Sequence, residues 1–335
     1  MSASRREFLA AAGLATASLL LRPRLVLASP HVDPDETFFK WKALSEDAWV
    51  GFGEGGNTLV LMGKSGAALV DCKNAPFGAA LRREAEALGA PVRLVINTHH
   101  HADHTGGNHV FTPIKDLPIV AHEKCKPRIA GNMSRYIAQA KEAVVTLSEN
   151  KSPAAAKVRD EARAYHDRMA DLKAEEFEPK TTVGEHMEME IGGQQLILRH
   201  FGPGHTDNDL VVYIPKQNLV HAGDLLFHRN HPFLDQAGGG SVQGWIDAVK
   251  QVIELCDEKT RVIPGHGEVT DMTGLKGQID YWMTTRDAVQ KAIAEGKSRQ
   301  EVMRLQLEQF KDYGKPEVRS MTLGAVYDEL KPPGK

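Results

Sequence analysis

Residues 97 to 109 read NTHHHADHTGGNH, placing five histidines and one aspartate in thirteen positions. An apolar β-branched run, VRLVI (92–96), comes directly before them and reads as a strand. In an extended segment, side chains two apart point the same way, so His99 and His101 can face one point while His100 faces elsewhere. The chain then turns at DHTGG, which brings Asp103 and His104 toward the same place from another direction. Imidazoles and carboxylates in such pairs are metal donors, and two pairs can serve two ions a few ångströms apart. The same run would otherwise be a solvated, His-rich loop.

A closed site needs donors from elsewhere in the chain. GPGHTDND places His205 after the strand LILRHF, HAGDLLF places Asp224 just past the strand NLVHA, and IPGHGE places His266 at another strand end. Each stands beside glycine after a β run, which is how a rigid scaffold delivers site residues. A donor set without thiolate favours zinc, with iron or manganese as further options. The remaining histidines, His31, His109, His122, His166, His186 and His200, read as ordinary surface or core residues. No Gly-x-Ser-x-Gly elbow is present, so a serine triad is not a serious rival.

The elements that must position these groups follow from periodicity. NTLVLM (57–62) and GAALVDC (66–72) straddle GKSG as a hairpin, and 75–90 carries a helical period. Strands are expected at 91–97 and 117–123, a hairpin about Gly192-Gly193 within 188–201, and strands at 209–215, 218–227 and 260–266. Residues 124–176, rich in Ala, Lys, Glu, Arg and Met, read as two or three helices broken near SENKSP (148–153). A helix over 242–255 and a helical tail over 272–335 complete the pattern. Two strand-rich blocks, each followed by helix, imply an α/β domain with two packed sheets. At 335 residues, with 41% hydrophobic and 25% charged residues, the chain has ample mass for a full core. A net charge of −3 and the lack of a long basic run argue against nucleic acid as a partner.

The first 29 residues resemble a twin-arginine export signal. Arg5 and Arg6 precede Phe-Leu and a weakly apolar stretch, Ala10 to Leu21, too short to span a bilayer, with a small-residue cleavage site near Ala28. That resemblance implies the twin-arginine export machinery as a partner, a periplasmic or secreted address in a bacterium, and no membrane anchor after cleavage. Removal of four Arg and one Glu with the signal takes the net charge to about −6. Export of a folded chain suits a protein that must acquire metal before it leaves the cytoplasm. Cys72, Cys125 and Cys256 are isolated and show no disulfide framework.

Taken together and in order, THHHADHTGGN, GPGHTDNDLVVYIP, HAGDLLF and VIPGHGE resemble the metallo-β-lactamase superfamily over roughly residues 48–270. The resemblance implies an αβ/βα four-layer sandwich over residues 30–335, with the helical insertion at 124–176. It implies two Zn2+ ions: His99, His101 and His205 on the first, Asp103, His104 and His266 on the second, and Asp224 bridging them. Asp103 would also be catalytic, orienting water and passing a proton to the leaving group. The implied activity is hydrolysis of a small-molecule ester, thioester, lactone or amide. Asp224 departs from β-lactamases that carry Cys or Ser there and matches the general hydrolase branch that includes glyoxalase II. The tail from Met272 shows no match to glutathione contacts, however, and the 124–176 insertion is foreign to the glyoxalase pattern. Competing expectations are a β-lactamase, a mononuclear iron oxidoreductase similar to persulfide dioxygenases, and a non-catalytic metal-binding scaffold. The loop 227–241, with His228, Arg229, Asn230 and His231, and the insertion helices are candidates to shape the substrate pocket.

Overall fold

A computed structural model describes residues 37–331; the export signal expected at 1–29 lies outside them. The first sheet contains seven strands in the order β1 (Lys40–Ala43), β2 (Ala48–Phe52), β3 (Thr58–Gly63), β4 (Gly66–Val70), β5 (Val92–Ile96), β6 (Ile119–His122) and β7 (Thr181–Val183). Strands β1 to β4 run antiparallel and β4 to β7 parallel. The second sheet contains β8 (His186–Ile191), β9 (Gln194–Arg199), β10 (Val211–Ile214), β11 (Leu219–Phe227) and β12 (Arg261–His266), in the reverse order β12 to β8. The hairpin about GKSG forms as expected, with Gly63 opposite Gly66, and so does the hairpin about Gly192-Gly193.

Alternation along the strands builds the layers. Leu59 and Leu61 of β3 point into the space between the sheets, where they join Val50, Ile96, Leu198, Val212 and Ile263. Val60, between them, points the other way and packs with Leu69, Val95 and Leu81 of α1 (Gly78–Ala87). On the far side, Val211 and Val220 pack under Trp245 and Val249 of the helix following β11 and Trp282 of the tail. The result is helix, sheet, sheet, helix; the central strands are buried on both faces, while β1 and β8 are exposed on one side.

The chain next adds α2 (Ala102–Thr105), so the expected turn at DHTGG is instead one helical turn that continues into a 3-10 turn at Gly106–Val110. The insertion forms α3 (Cys125–Ile129), α4 (Met133–Glu149) and α5 (Pro153–Arg168). The break falls within SENKSP, where Ser152 caps α5 by accepting from Ala155 N and Pro153 occupies the first helical position. The C-terminal half adds α6 (Val242–Glu254), α7 (Met272–Ala294), α8 (Arg299–Val302) and α9 (Pro316–Leu330). Asp224 is not past the end of a strand but inside β11, where the pairing with β12 loses register around Gly223. A local bulge of this kind re-aims a side chain toward a site. Two strands carry no clear sequence signal: β1, KWKA, is an exposed edge strand, and β7 has three residues.

Candidate metal centre

All seven residues expected as donors converge at the ends of the strands of both sheets. His99 and His101 follow β5, Asp103 and His104 sit on α2, His205 lies in the loop between β9 and β10, Asp224 is in β11 and His266 ends β12. His99, His101, His205 and Asp224 form one group of potential metal-binding atoms, all within 4.8 Å of one another. Asp103, His104 and His266 form a second. Asp224 stands between them: its Oδ2 is 3.5 Å from His205 Nε2 and 3.5 Å from His266 Nε2, and its Oδ1 is 3.2 Å from His104 Nε2.

The rings are held from behind. His99 Nδ1 meets Thr98 Oγ1 at 3.0 Å, His205 Nδ1 meets the Phe233 carbonyl at 2.7 Å, and His104 Nδ1 meets Asp71 Oδ2 at 2.7 Å. His101 uses Nε2 toward Asp235 Oδ2 at 2.9 Å and so turns Nδ1 inward. Each of these four rings therefore has one nitrogen engaged outward and the other aimed at the centre, the arrangement that fixes the tautomer of a metal-binding histidine.

The inward atoms fit a cation. His99 Nε2, His104 Nε2 and Asp224 Oδ1 are buried without a hydrogen-bond partner among the described residues. Orphaned buried polar atoms are costly unless something binds them. His101 Nδ1 and His205 Nε2 approach to 2.9 Å, which two lone pairs tolerate only with a proton or a metal ion between them. Burial, with His104, His101 and His205 nearby, holds His99 well below the ordinary histidine range. Burial opposes charge on His104 too, yet Asp224, Asp71 and Asp103 together raise its pKa well above that range. Asp224 is likewise driven against its burial, to well below the carboxylate range, by His266, His104 and His99. Protons and a divalent cation would compete for the same atoms.

Two glycines make room. A Cβ on Gly265 would lie 1.8 Å from Asp224 Oδ1, and one on Gly56 would lie 2.1 Å from the His104 ring. Any side chain at either place would occupy the centre itself.

The structure also brings in residues that sequence reasoning missed. Asp71, just past β4, is fully buried and accepts from Thr98 N and Thr98 Oγ1, each at 2.8 Å, as well as meeting His104. Asp235 reaches His101 from the loop after β11. The one available signal was a lone aspartate closing the apolar run GAALVDC. Replacing Asp71 with Asn should weaken metal binding about 10- to 100-fold, by loosening His104. Competition with a chromophoric chelator measures this; unchanged affinity would remove Asp71 from the site.

The expected bystanders differ: His100 forms, with His101 and Asp235, a third group of potential metal-binding atoms within 4.8 Å of one another at the edge of the centre. His100 accepts nothing from it: its backbone N donates to Asn208 Oδ1 at 3.0 Å, its Nε2 lies 3.5 Å from Asp235, and burial lowers its pKa to about 4. His109 is buried with Nδ1 donating to the Gly106 carbonyl. The loop residues His228, Arg229 and Asn230 line a separate cavity of about 270 Å³ with Gln278, Tyr281 and Tyr313. His231 is buried, with Nδ1 at 2.8 Å from Tyr281 Oη.

With the fold and centre described, comparison places the chain. Residues 51–266 match the family model of the metallo-beta-lactamase superfamily, and the chain belongs to that family. Members of this superfamily are generally metal-dependent hydrolases. It is similar to metallo-beta-lactamase IND-1 of Chryseobacterium indologenes, 30% identical over 78 residues, covering 23% of this chain and 33% of that protein. It is also similar to the 2,4-dinitroanisole O-demethylase subunit alpha of Nocardioides sp. (strain JS1661), 24% identical over 244 residues, 71% of this chain and 61% of that one. The chain thus spans less than two-thirds of either relative. Among solved structures, a metallo-beta-lactamase from Pontibacter korlensis superposes with a TM-score of 0.54 at 20% identity, covering 73% of this chain and 99% of its own. That likeness concerns the fold.

Proposed function

We propose that the protein is an exported dinuclear zinc hydrolase acting on an ester, thioester, lactone or amide. His99, His101 and His205 hold the first ion, Asp103, His104 and His266 hold the second, and Asp224 bridges. The observation that carries this reading is the set of inward-facing donor atoms left unpartnered at the centre, with the rings of His99, His101, His104 and His205 anchored from behind. When bound, metal at these residues would lower the pKa of a water toward neutrality and polarise the scissile carbonyl.

The chain's own residues do the rest. Asp103 differs from Asp224 in facing open space: its side chain is 31% exposed, against 3%. It borders a cavity of about 360 Å³ beside His101 and Ala102. From there Asp103 orients the attacking water and hands its proton to the leaving group, while the buried Asp224 keeps both halves of the centre in register. The His99 and His104 rings, fully buried, exclude bulk water from the far side.

The paired arginines and small-residue site of the first 29 residues support export to the periplasm or beyond. Within the family, Asp224 favours the branch that includes glyoxalase II. A β-lactamase is the second reading, favoured by the names of several relatives. The relative aligned over 71% of this chain is instead named for O-demethylation of an aryl ether, so the fold serves other cleavages.

Metal analysis of the purified chain, together with turnover of an ester, thioester, lactone, amide and nitrocefin panel, decides among these. The expected result is two zinc per chain, with acyl hydrolysis and background nitrocefin turnover. One iron and no zinc would point instead to the oxidoreductase reading.

A further inference from the structure

The cavity beside Asp103 has walls from parts of the chain outside the strand ends that carry the metal donors. Asn132 and Arg135 come from the insertion, Phe233 from the loop after β11, and Met321 from α9 in the tail. Each wall residue lies next to an anchor. Tyr136 follows Arg135 and is hydrogen-bonded through Oη to Thr105 Oγ1 at 2.8 Å, one residue from His104. Asn132 Nδ2 donates to the His100 carbonyl. Thr322 follows Met321 and donates to the Pro232 carbonyl, next to Phe233. Gln236 Nε2 donates to the Ala325 carbonyl at 2.9 Å, a second tie between that loop and α9. The insertion and tail are thus fastened directly to the metal loops.

The chemistry of these walls is lopsided. Phe233 lies 6.0 Å from the His101 ring and 6.2 Å from the His205 ring, between centroids. Met321 is 54% exposed, one of three large apolar side chains so exposed among the described residues. Phe233 and Met321 make an apolar wall beside the centre. Arg135, exposed, makes no hydrogen bond or ion pair with any described residue. Arg128, on the preceding helix, contrasts with it: its guanidinium forms a two-pronged pair with Asp207 at 2.6 and 3.0 Å. A free guanidinium opposite an apolar wall is suited to a ligand with a planar anion at one end and hydrocarbon in the middle.

We propose that the substrate is an amphiphilic carboxylate, an acyl compound whose apolar body packs on Phe233 and Met321 and whose carboxylate pairs with Arg135. This rests on the hydrolytic reading above and supplies its substrate class. Arg135 acts in binding, so its loss should appear in KM rather than kcat.

The test uses the zinc-loaded full chain and reads binding separately from turnover. Calorimetric titration with 4-phenylbutyrate and with 4-phenylbutyramide should show the acid binding about tenfold or more tighter, the range of a charge-assisted pair. Arg135→Glu should abolish the advantage and Arg135→Lys should keep most of it. Met321→Ser should weaken both ligands alike. In turnover, p-nitrophenyl monoesters of four- to eight-carbon alkanedioic acids should outrun matched alkanoates through KM in the wild type but not in Arg135→Glu. Equal binding of acid and amide, or a preference that survives Arg135→Glu, overturns the substrate class even with hydrolysis intact. Arg135-dependent binding with no acyl substrate turned over overturns the hydrolytic reading, and the substrate role with it. Unchanged circular dichroism and melting temperature exclude misfolding of the variants.

Discussion

Replacement of Asp224 by Ala is expected to reduce bound zinc from two per chain to one or none and to lower kcat/KM at least about a thousandfold, a barrier change of roughly 4 kcal/mol. Among the described residues, no other carboxylate makes contacts with both donor groups. Its two oxygens lie 3.2 to 3.7 Å from Nε2 of His99, His104, His205 and His266. Removing it takes the shared carboxylate from both donor groups and leaves four imidazoles without it. The protein itself should still fold, because Asp224 contributes no hydrogen bond that another element needs and the neighbouring β11 residues pack through their own side chains. Asp224→Cys is the sharper companion. A thiolate can hold zinc but offers one donor atom where the carboxylate offers two oxygens a couple of ångströms apart, so zinc content should partly recover while activity does not. Metal content by mass spectrometry, read beside kinetics on the best acyl substrate, separates these outcomes. Full zinc occupancy in Asp224→Ala would show that the two ions do not share this side chain.

How far the sequence could be read depended on the kind of residue. The seven donors were legible because histidine and aspartate rarely cluster at strand ends without a purpose, and alternation of apolar residues located the strands that carry them. Asp71 and Asp235 were not. A carboxylate that holds a ring from behind has the same residue type as any surface aspartate, and only folding brings Asp235 across 134 positions to His101. The strand expected at 218–227 contains Asp224 and forms as β11, but the buckle at Gly223 that re-aims Asp224 has no signal in the alternation of residues. The helical insertion was visible as composition. That the start of α4 would bring Asn132 and Arg135 to the cavity beside Asp103 was not, since a helical period says which face is apolar and not what that face meets. Short edge strands such as β1 lack a buried face and so lack the signal altogether.

Lys73 joins the fold to the site, and its replacement by Met is expected to be the most damaging change away from the donors. The ammonium is fully buried and donates to the carbonyls of Gly51 and Gly56, each at 2.7 Å, with the Phe39 ring 5.5 Å away. Gly56 N in turn donates to the Asp103 carbonyl at 3.0 Å, and Gly56 lies against the His104 ring. Methionine fills the volume and removes a desolvated charge, which favours the variant. It also orphans two buried carbonyls and abolishes two charge-assisted bonds worth about 1.5–3 kcal/mol each, so loss should win by about 2–4 kcal/mol. In a domain of this size that is a fall of roughly 3–6 °C in melting temperature. Burial pushes Lys73 down to about 7 against the pull of Asp71 and Glu54, while the unfolded chain keeps its lysine protonated to about 10.4. Between those values the unfolded state binds the extra proton, so this group's contribution to stability rises with pH, and below about 7 that gain is absent. Lys73→Met lacks the rise. The gap in melting temperature between wild type and variant should therefore widen from pH 7 to pH 9.5, with both proteins zinc-loaded and compared at each pH. A gap that stays constant or closes would mean that Lys73 keeps its charge throughout, and that the two carbonyls alone define its role.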